Sequence, residues 1–389
     1  MSWPLVSLSS IAEVVTGNTP SKADESFFGG DIPFVSPSEL DLGYVSSSKQ
    51  TLTAKGASVS RLIPADSVMV CCIGSLGKVG ISSIPVVTNQ QINSLVVNQE
   101  VACPLYVYYF CKTLKNTLND MAPKTTVAIV NKTKFSALKI PLPPLETQKQ
   151  IATVLEKADQ LRKDCQQMEQ ELNSLAQSVF IDMFGDPVTN PRGWDKCSIG
   201  DITSKVTDGE HQTPKRTGSG YKLLSARNIQ HGHLDVVNEK VDYVGEDEFK
   251  RITKRLVIEK SDVLLSCSGT IGRAALNTLD EPFCLVRSAA VIRLLQEFML
   301  PEFLVGYLGT SYMQAVMHHE ANSSGQPNLF QNQIKKLKVY TPPIELQEGF
   351  KVFLEHQKIE LLNLKYLKSE YDEVFNSLMQ KAFKGELNL

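Results

Sequence analysis

Nowhere does the sequence run to the roughly 18 consecutive apolar residues that a bilayer-crossing helix needs, and residues 1–8 carry no cationic stretch leading into an apolar one. Neither a membrane span nor a secretory leader is expected, and the chain reads as cytoplasmic. Cysteine is sparse, 8 in 389 residues, and only Cys71 and Cys72 are close together. No C-x-x-C metal knuckle and no disulfide framework can be drawn from that spacing, so the thiols are expected reduced in the core. The six histidines include His231 with His233 and His318 with His319, but none has a Cys, Asp or Glu at zinc-ligand spacing, so no metal is expected. An excess of one charge is missing as well: 40 Lys and Arg face 42 Asp and Glu, which taken whole argues mildly against a nucleic-acid binder.

What is present is length, and a sequence written twice. A chain of 389 residues exceeds one ordinary core of about 100 to 200 residues, so two domains are expected. Asp66 to Lys78 (DSVMVCCIGSLGK) returns as Ser261 to Arg273 (SDVLLSCSGTIGR), with its glycines 195 residues on. Lys134 to Gln148 (KFSALKIPLPPLETQ) returns as Gln333 to Gln347 (QIKKLKVYTPPIELQ) at a shift of 199, whereas Trp3 and Trp194 open the copies at 191. The shift therefore drifts within the domains, then holds at 199 from Pro144 and Pro343 to Phe184 and Phe383. Charge divides along the same lines. Residues 1–143 carry 11 basic and 9 acidic side chains and 187–343 carry 19 and 17, against 4 and 8 in 144–186 and 6 and 8 in 344–389. The small positive surplus lies in the two longer stretches, where it permits phosphate contact without proving it.

The segment of constant length has helical periodicity. After Pro143-Pro144, apolar residues fall at Ile151, Val154, Ala158, Leu161, Cys165, Met168, Leu172, Leu175 and Val179 in unbroken 3,4 alternation, the mark of a coiled-coil seam. Gly185 and Pro187 are placed to stop it. Glu156, Lys157, Arg162, Lys163, Asp164 and Glu169 lie off the seam and read as a solvated or partner-facing surface. The second copy keeps Phe350, Phe353, Leu364, Leu367, Tyr371, Val374 and Leu378 but places Gln357 and Glu360 in the seam. Either the register slips toward Leu354 and Leu361, or the polar pair tunes pairing at some cost in stability. A helix over 148–183 is about 54 Å long, so two of them packed antiparallel could space two domains about one DNA turn apart. A plain tether or dimerisation seam has the same periodicity.

Each domain reads as mixed α and β, with strands near Ser67 to Cys72 and Asp262 to Cys267, and helical stretches near Leu105 to Leu118 and Pro301 to Val316. Glycine turns follow the strands at Gly74 to Gly77 and Gly269 to Gly272, with Lys78 and Arg273 just behind. They lack Walker spacing. They suit either a phosphate cradle or a tight exit from a buried strand. If the two domains read different half-sites, shared residues serve the scaffold and phosphates, and base readers lie where the copies differ. Such segments are Thr16 to Lys22 (TGNTPSK) against Asp208 to Arg216 (DGEHQTPKR), and Lys124-Thr125-Thr126 against Gly325 to Asn328. Arginine pairs with guanine and Asn or Gln with adenine. The DNA-binding candidates are thus Asn18, Thr19, Lys22, Lys78, Lys124, Thr125, His211, Thr213, Lys215, Arg216, Arg227, Asn228, Arg273 and Asn328.

At these residues the sequence resembles the DNA-specificity subunits of type I restriction-modification systems. The resemblance is carried by VTGNTPSK (Val15 to Lys22), GGDIPFVSPSEL (Gly29 to Leu40), TDGEHQTPK (Thr207 to Lys215), LLSARNI (Leu223 to Ile229), both glycine turns and both P-P-φ-E-x-Q helix starts, in order and twice. It implies an α+β fold with a pseudo-two-fold internal repeat: target-recognition domains at 1–143 and 187–343, and long antiparallel coiled-coil spacer helices at 144–186 and 344–389. It also implies a non-catalytic role. The chain would read a bipartite double-stranded DNA site and dock two methylation subunits, with restriction subunits joining the complex. S-adenosylmethionine and ATP would then be held by those partners and no cofactor by this chain. A stand-alone adenine methyltransferase is disfavoured, because its [DNS]-P-P-[YF] motif is absent from LPPLE and TPPIE. A protein-bridging adaptor without DNA binding is the remaining rival. A stand-alone repressor is disfavoured by the inequality of the two domains.

Overall fold

The computed structural model describes residues 3–41, 43–123, 127–295, 297–321 and 327–387. They form two compact units, 1–166 with 366–389 and 167–365. The division runs through both long helices instead of at their starts, so each unit holds one globular portion and part of each helix.

In the first unit the apolar run Val68–Cys71 is buried at every position, as expected of a strand flanked on both sides and covered on both faces. It lies in a five-stranded sheet ordered Ala12–Thr16, Ile92–Val97, Val68–Cys71, Val79–Ser82, Gly43–Val45. Its first three pairings are antiparallel and its last parallel. The helix Pro104–Thr113, started by proline at its first position where no N–H is needed, covers this sheet with Tyr106, Tyr109 and Phe110. A second sheet runs Gln50–Leu52, Phe28–Val35, Val86–Thr88, Leu62–Ile63. The second unit repeats the plan. Its main sheet is Thr203–Asp208, Ala289–Leu294, Val263–Ser266, Ala274–Leu276, covered by Pro301–Leu308 through Phe303, Leu304 and Tyr307. Its second sheet runs Arg216–Thr217, Asp242–Val244, Tyr221–Leu224, Phe283–Leu285, and in both second sheets one pair is parallel, Phe34 with Val87 and Leu223 with Cys284. Among the described residues the fifth strand of the main sheet has as its counterpart in the second unit a single parallel bridge, Gly232 to Ala275.

The long helices are Leu145–Phe184 and Ile344–Lys384, each about 60 Å long. The glutamine of each P-P-φ-E-x-Q motif is fully buried and ties its helix to a neighbouring loop. Gln148 accepts from the Cys103 N–H at 2.9 Å and donates to the Pro143 and Val101 carbonyls. Gln347 accepts from the Leu300 N–H at 2.8 Å and donates to Pro342. Gly185, at φ 83°, ends the first helix.

Packing along these helices corrects the seam read from sequence. Leu161, Met168, Leu175, Leu367 and Val374 are 41–51% exposed. Ile151, Cys165 and Leu364 are buried, Val154, Leu172, Tyr371 and Leu378 partly so, and the buried set also takes in Leu155, Phe375, Met379 and Ala382. The seven-residue row from Ile151 is kept, but its companion row lies at i+4 instead of i+3. On a straight helix i+4 is rotated about 40° from i and i+3 about 60°, so i+4 residues share the packed face more closely. Arg162, expected off the seam, lies within it: it pairs with Asp159 at 3.1 Å and with Asp372, and sits 4.5 Å above the Phe375 ring. In the second unit Gln357 keeps its seam position, 8% exposed, and donates to the Leu172 carbonyl, while Phe180 packs on Phe350. The segments there run antiparallel. Leu361 is partly buried and Glu360 exposed, so the seam combines a polar step with the slip toward Leu361.

Candidate nucleic-acid interface

Three segments converge in each globular portion: the polar loop after the first main-sheet strand, the glycine turn, and the turn leading into Ile92–Val97 or Ala289–Leu294. Backbone hydrogen bonds set the correspondence between units. Gly17 N–H donates to Ile92 and Gly209 N–H to Ala289, and Asn18 N–H donates to Thr88 as Glu210 N–H does to Leu285. Asn89 N–H reaches Val35 as Val286 N–H reaches Leu224, and Cys72 N–H reaches the Gln91 carbonyl as Cys267 N–H reaches that of Ser288. Only glycine allows the first of these contacts, since a Cβ at Gly17 or Gly209 would fall 2.2 or 2.5 Å from a carbonyl oxygen.

The glycine turns serve the scaffold. Gly74, Gly77, Gly269 and Gly272 all have φ between 78° and 91°, a region that favours glycine. A Cβ on Gly77 would press on Lys115 and one on Gly272 on Gln314, while Leu76 and Ile271 are buried. In the first unit the Gly74, Leu76 and Gly77 N–H groups already donate to Ala128, Gly74 and Cys71. Three of that turn's four donors are therefore committed, which removes the phosphate cradle there. Lys78 and Arg273 behind the turns are partly buried.

The other candidates divide by how their polar atoms are employed. Asn228 is 0% exposed; it accepts from Ser225 N–H and donates to the Asp235 and Lys240 carbonyls. Its amide is fully committed to the chain, so it cannot read a base, and the expectation is corrected. Asn18 is partly committed, donating to Val59 and accepting from the Arg61 N–H, and stays partly exposed. Thr19 donates to Gln90 Oε1 at 2.6 Å. Lys22, Thr213, Lys215 and Arg227 are exposed. His211 pairs with Asp208 at 2.9 Å and Arg216 with Asp242 at 3.0 Å. Asn328 bridges to Ser268 beside the glycine turn. Lys124 and Thr125, with Thr126, Gly325 and Gln326, lie outside the described residues.

Two exposed residues went unnoticed in the sequence. Gln90 and Arg287 occupy the same turn of the two units, between Asn89 and Gln91 and between Val286 and Ser288. The hexapeptides that hold them, TNQQIN and LVRSAA, share no residue in register, so the repeat in the sequence does not pair them. Beside them, burial pushes the Cys72 and Cys267 thiols up to about 12. Among the described residues no group of three or more His, Cys, Asp or Glu side chains could hold a metal, and no helix is long and apolar enough to cross a membrane.

Comparison with known proteins places this geometry among relatives. The family model described as Type I restriction modification DNA specificity domain matches residues 2–174 and again 191–369. The MjaIX type I restriction enzyme specificity subunit of Methanocaldococcus jannaschii is 24% identical over 100% of this chain and 94% of its own length. The HindI specificity subunit of Haemophilus influenzae is 32% identical over 40% of this chain and 36% of its own. Among solved structures, the type I restriction-modification S subunit of M. genitalium shares the fold with a TM-score of 0.59 at 15% identity, covering 98% of this chain and 96% of that one. A chain from a type I R-M system, described for its complex assembly and conformational transition, aligns with a TM-score of 0.62 at 17% identity over 99% and 98%.

Proposed function

Because this chain belongs to the type I restriction modification DNA specificity family, whose model covers both of its halves, we propose that its two globular portions read the two halves of an asymmetric, bipartite DNA site. The chain is a non-catalytic subunit that confers sequence-specific DNA recognition on a methylation and restriction complex. The observation that carries the bipartite reading is the repeated turn: one hydrogen-bonded backbone, two different sets of exposed side chains. Frames that share these bonds but carry unlike tips suit two unlike half-sites and not a palindrome. The long helices set the gap between half-sites and dock two methylation subunits. Their open apolar residues, among them Leu161, Met168, Leu175, Ile359 and Tyr366, support a partner-covered face. S-adenosylmethionine and ATP are held by the partner subunits.

Reconstitution with the methylation subunit, followed by selection from randomised duplexes across a salt series, tests the proposal. Two unlike half-sites at a constant gap, enriched above the salt-sensitive non-specific background, are expected. A complex that assembles but enriches no sequence would make the chain a protein-bridging adaptor.

A further inference from the structure

We infer that Gln90 and Arg287 determine specificity from equivalent stations, Gln90 reading an A·T pair in one half-site and Arg287 a G·C pair in the other. The inference rests on the reading that the two portions contact separate half-sites.

Both residues are tips held by committed neighbours. On either side of Gln90, Asn89 Nδ2 donates to Gln91 Oε1 at 3.0 Å, and Gln91 Nε2 donates to the Ile73 carbonyl at 3.3 Å. Beside Arg287, Ser288 Oγ accepts from the Ala226 N–H at 3.1 Å, and the Arg287 N–H itself donates to the Glu210 carbonyl at 3.0 Å. The backbone at each tip is thus fixed while the side chain projects outward, exposed in both cases. A base-reading group needs that combination, because bidentate pairing tolerates little movement.

The free atoms suit the assignment. Thr19 donates its hydroxyl to Gln90 Oε1 at 2.6 Å, which orients the amide and leaves the second lone pair of that oxygen open. No protein acceptor takes the Nε2 hydrogens among the described residues. An oriented amide with one acceptor and one donor forward matches adenine N6 and N7. The Arg287 guanidinium has no hydrogen bond or ion pair among the described residues, although Glu210 adjoins its backbone. Glu210 accepts from the Gln212 N–H at 2.9 Å and lies 3.6 Å from Arg251, so its charge is engaged elsewhere. A free guanidinium fork on a fixed turn matches guanine O6 and N7.

The test uses the complete complex with its methylation subunits, offered duplexes randomised in both half-sites. Arg287→Ala is expected to lose a G·C preference at one position of one half-site, and Arg287→Gln to replace it with A·T. Gln90→Arg should turn an A·T preference into G·C in the other half-site only. Affinity for the parent site should fall roughly 5- to 150-fold in each case. Co-elution with the methylation subunits and an unchanged second half-site report that each variant is folded. Variants that select the parent sequence unchanged would overturn the inference. So would, for the two Arg287 variants, a loss of affinity uniform over all sequences with a salt slope smaller by about 1, the mark of a phosphate contact. A wild-type complex that selects no sequence would instead sink the DNA-reading proposal on which the inference stands.

Discussion

Arg227 and Asn228 are adjacent in LLSARNI, yet one side chain is exposed and the other fully buried. Asn228 satisfies one N–H and two carbonyls around the short turn Ala226–Asn228. Removing its amide deprives those part-buried groups of their partners, a loss of about 1 to 3 kcal/mol. Asn228→Ala is therefore expected to unfold the second unit at lower denaturant concentration, whereas Arg227→Ala should change stability by less than about 0.5 kcal/mol. Urea denaturation of the two variants checks both. Equal stability would mean that Asn228 is no scaffold residue. The sequence could not separate these neighbours, because an amide suits a base edge and a buried turn equally well. What distinguishes them is where the chain between residues 235 and 240 returns.

For the long helices, constant length was legible because it is a relation between two stretches of one sequence. Which residues pack was legible only in part. The row through Ile151, Ala158, Cys165 and Leu172 holds, but choosing between the flanking rows depends on the globular portions, whose cores capture Leu155, Phe375 and Met379 in the first unit and Phe180, Phe184 and Phe350 in the second. The charged pair Arg162 and Asp159 sits where an aliphatic residue would be expected, because Lys112, Asp372 and the Phe375 ring complete a polar cluster there. If the helices space the half-sites, inserting four residues into either lengthens it by about 6 Å. The expected outcome is a changed gap with both half-sites retained, measured by mapping methylated sites. A changed half-site with an unchanged gap would contradict the spacer role.

Across the whole molecule the repeat predicts modular recognition. Replacing residues 1–143 with those of another family member should exchange one half of the recognised sequence and leave the other, read out by methylation mapping; exchange of both halves would refute it. The duplication, the positions of the buried strands, the glycine turns and the helix starts were determined by the sequence itself, since each is a local pattern of apolar residues, glycine and proline stated twice. Tertiary structure alone decided which polar side chains remain available to DNA. Asn228 is consumed by the carbonyls of Asp235 and Lys240, while Gln90 and Arg287 project from a turn whose following side chains, Gln91 and Ser288, are engaged. The reason is physical: a hydrogen-bonding group has the same chemistry wherever it stands, and only the fold settles whether its partner is the protein's own backbone or something outside it.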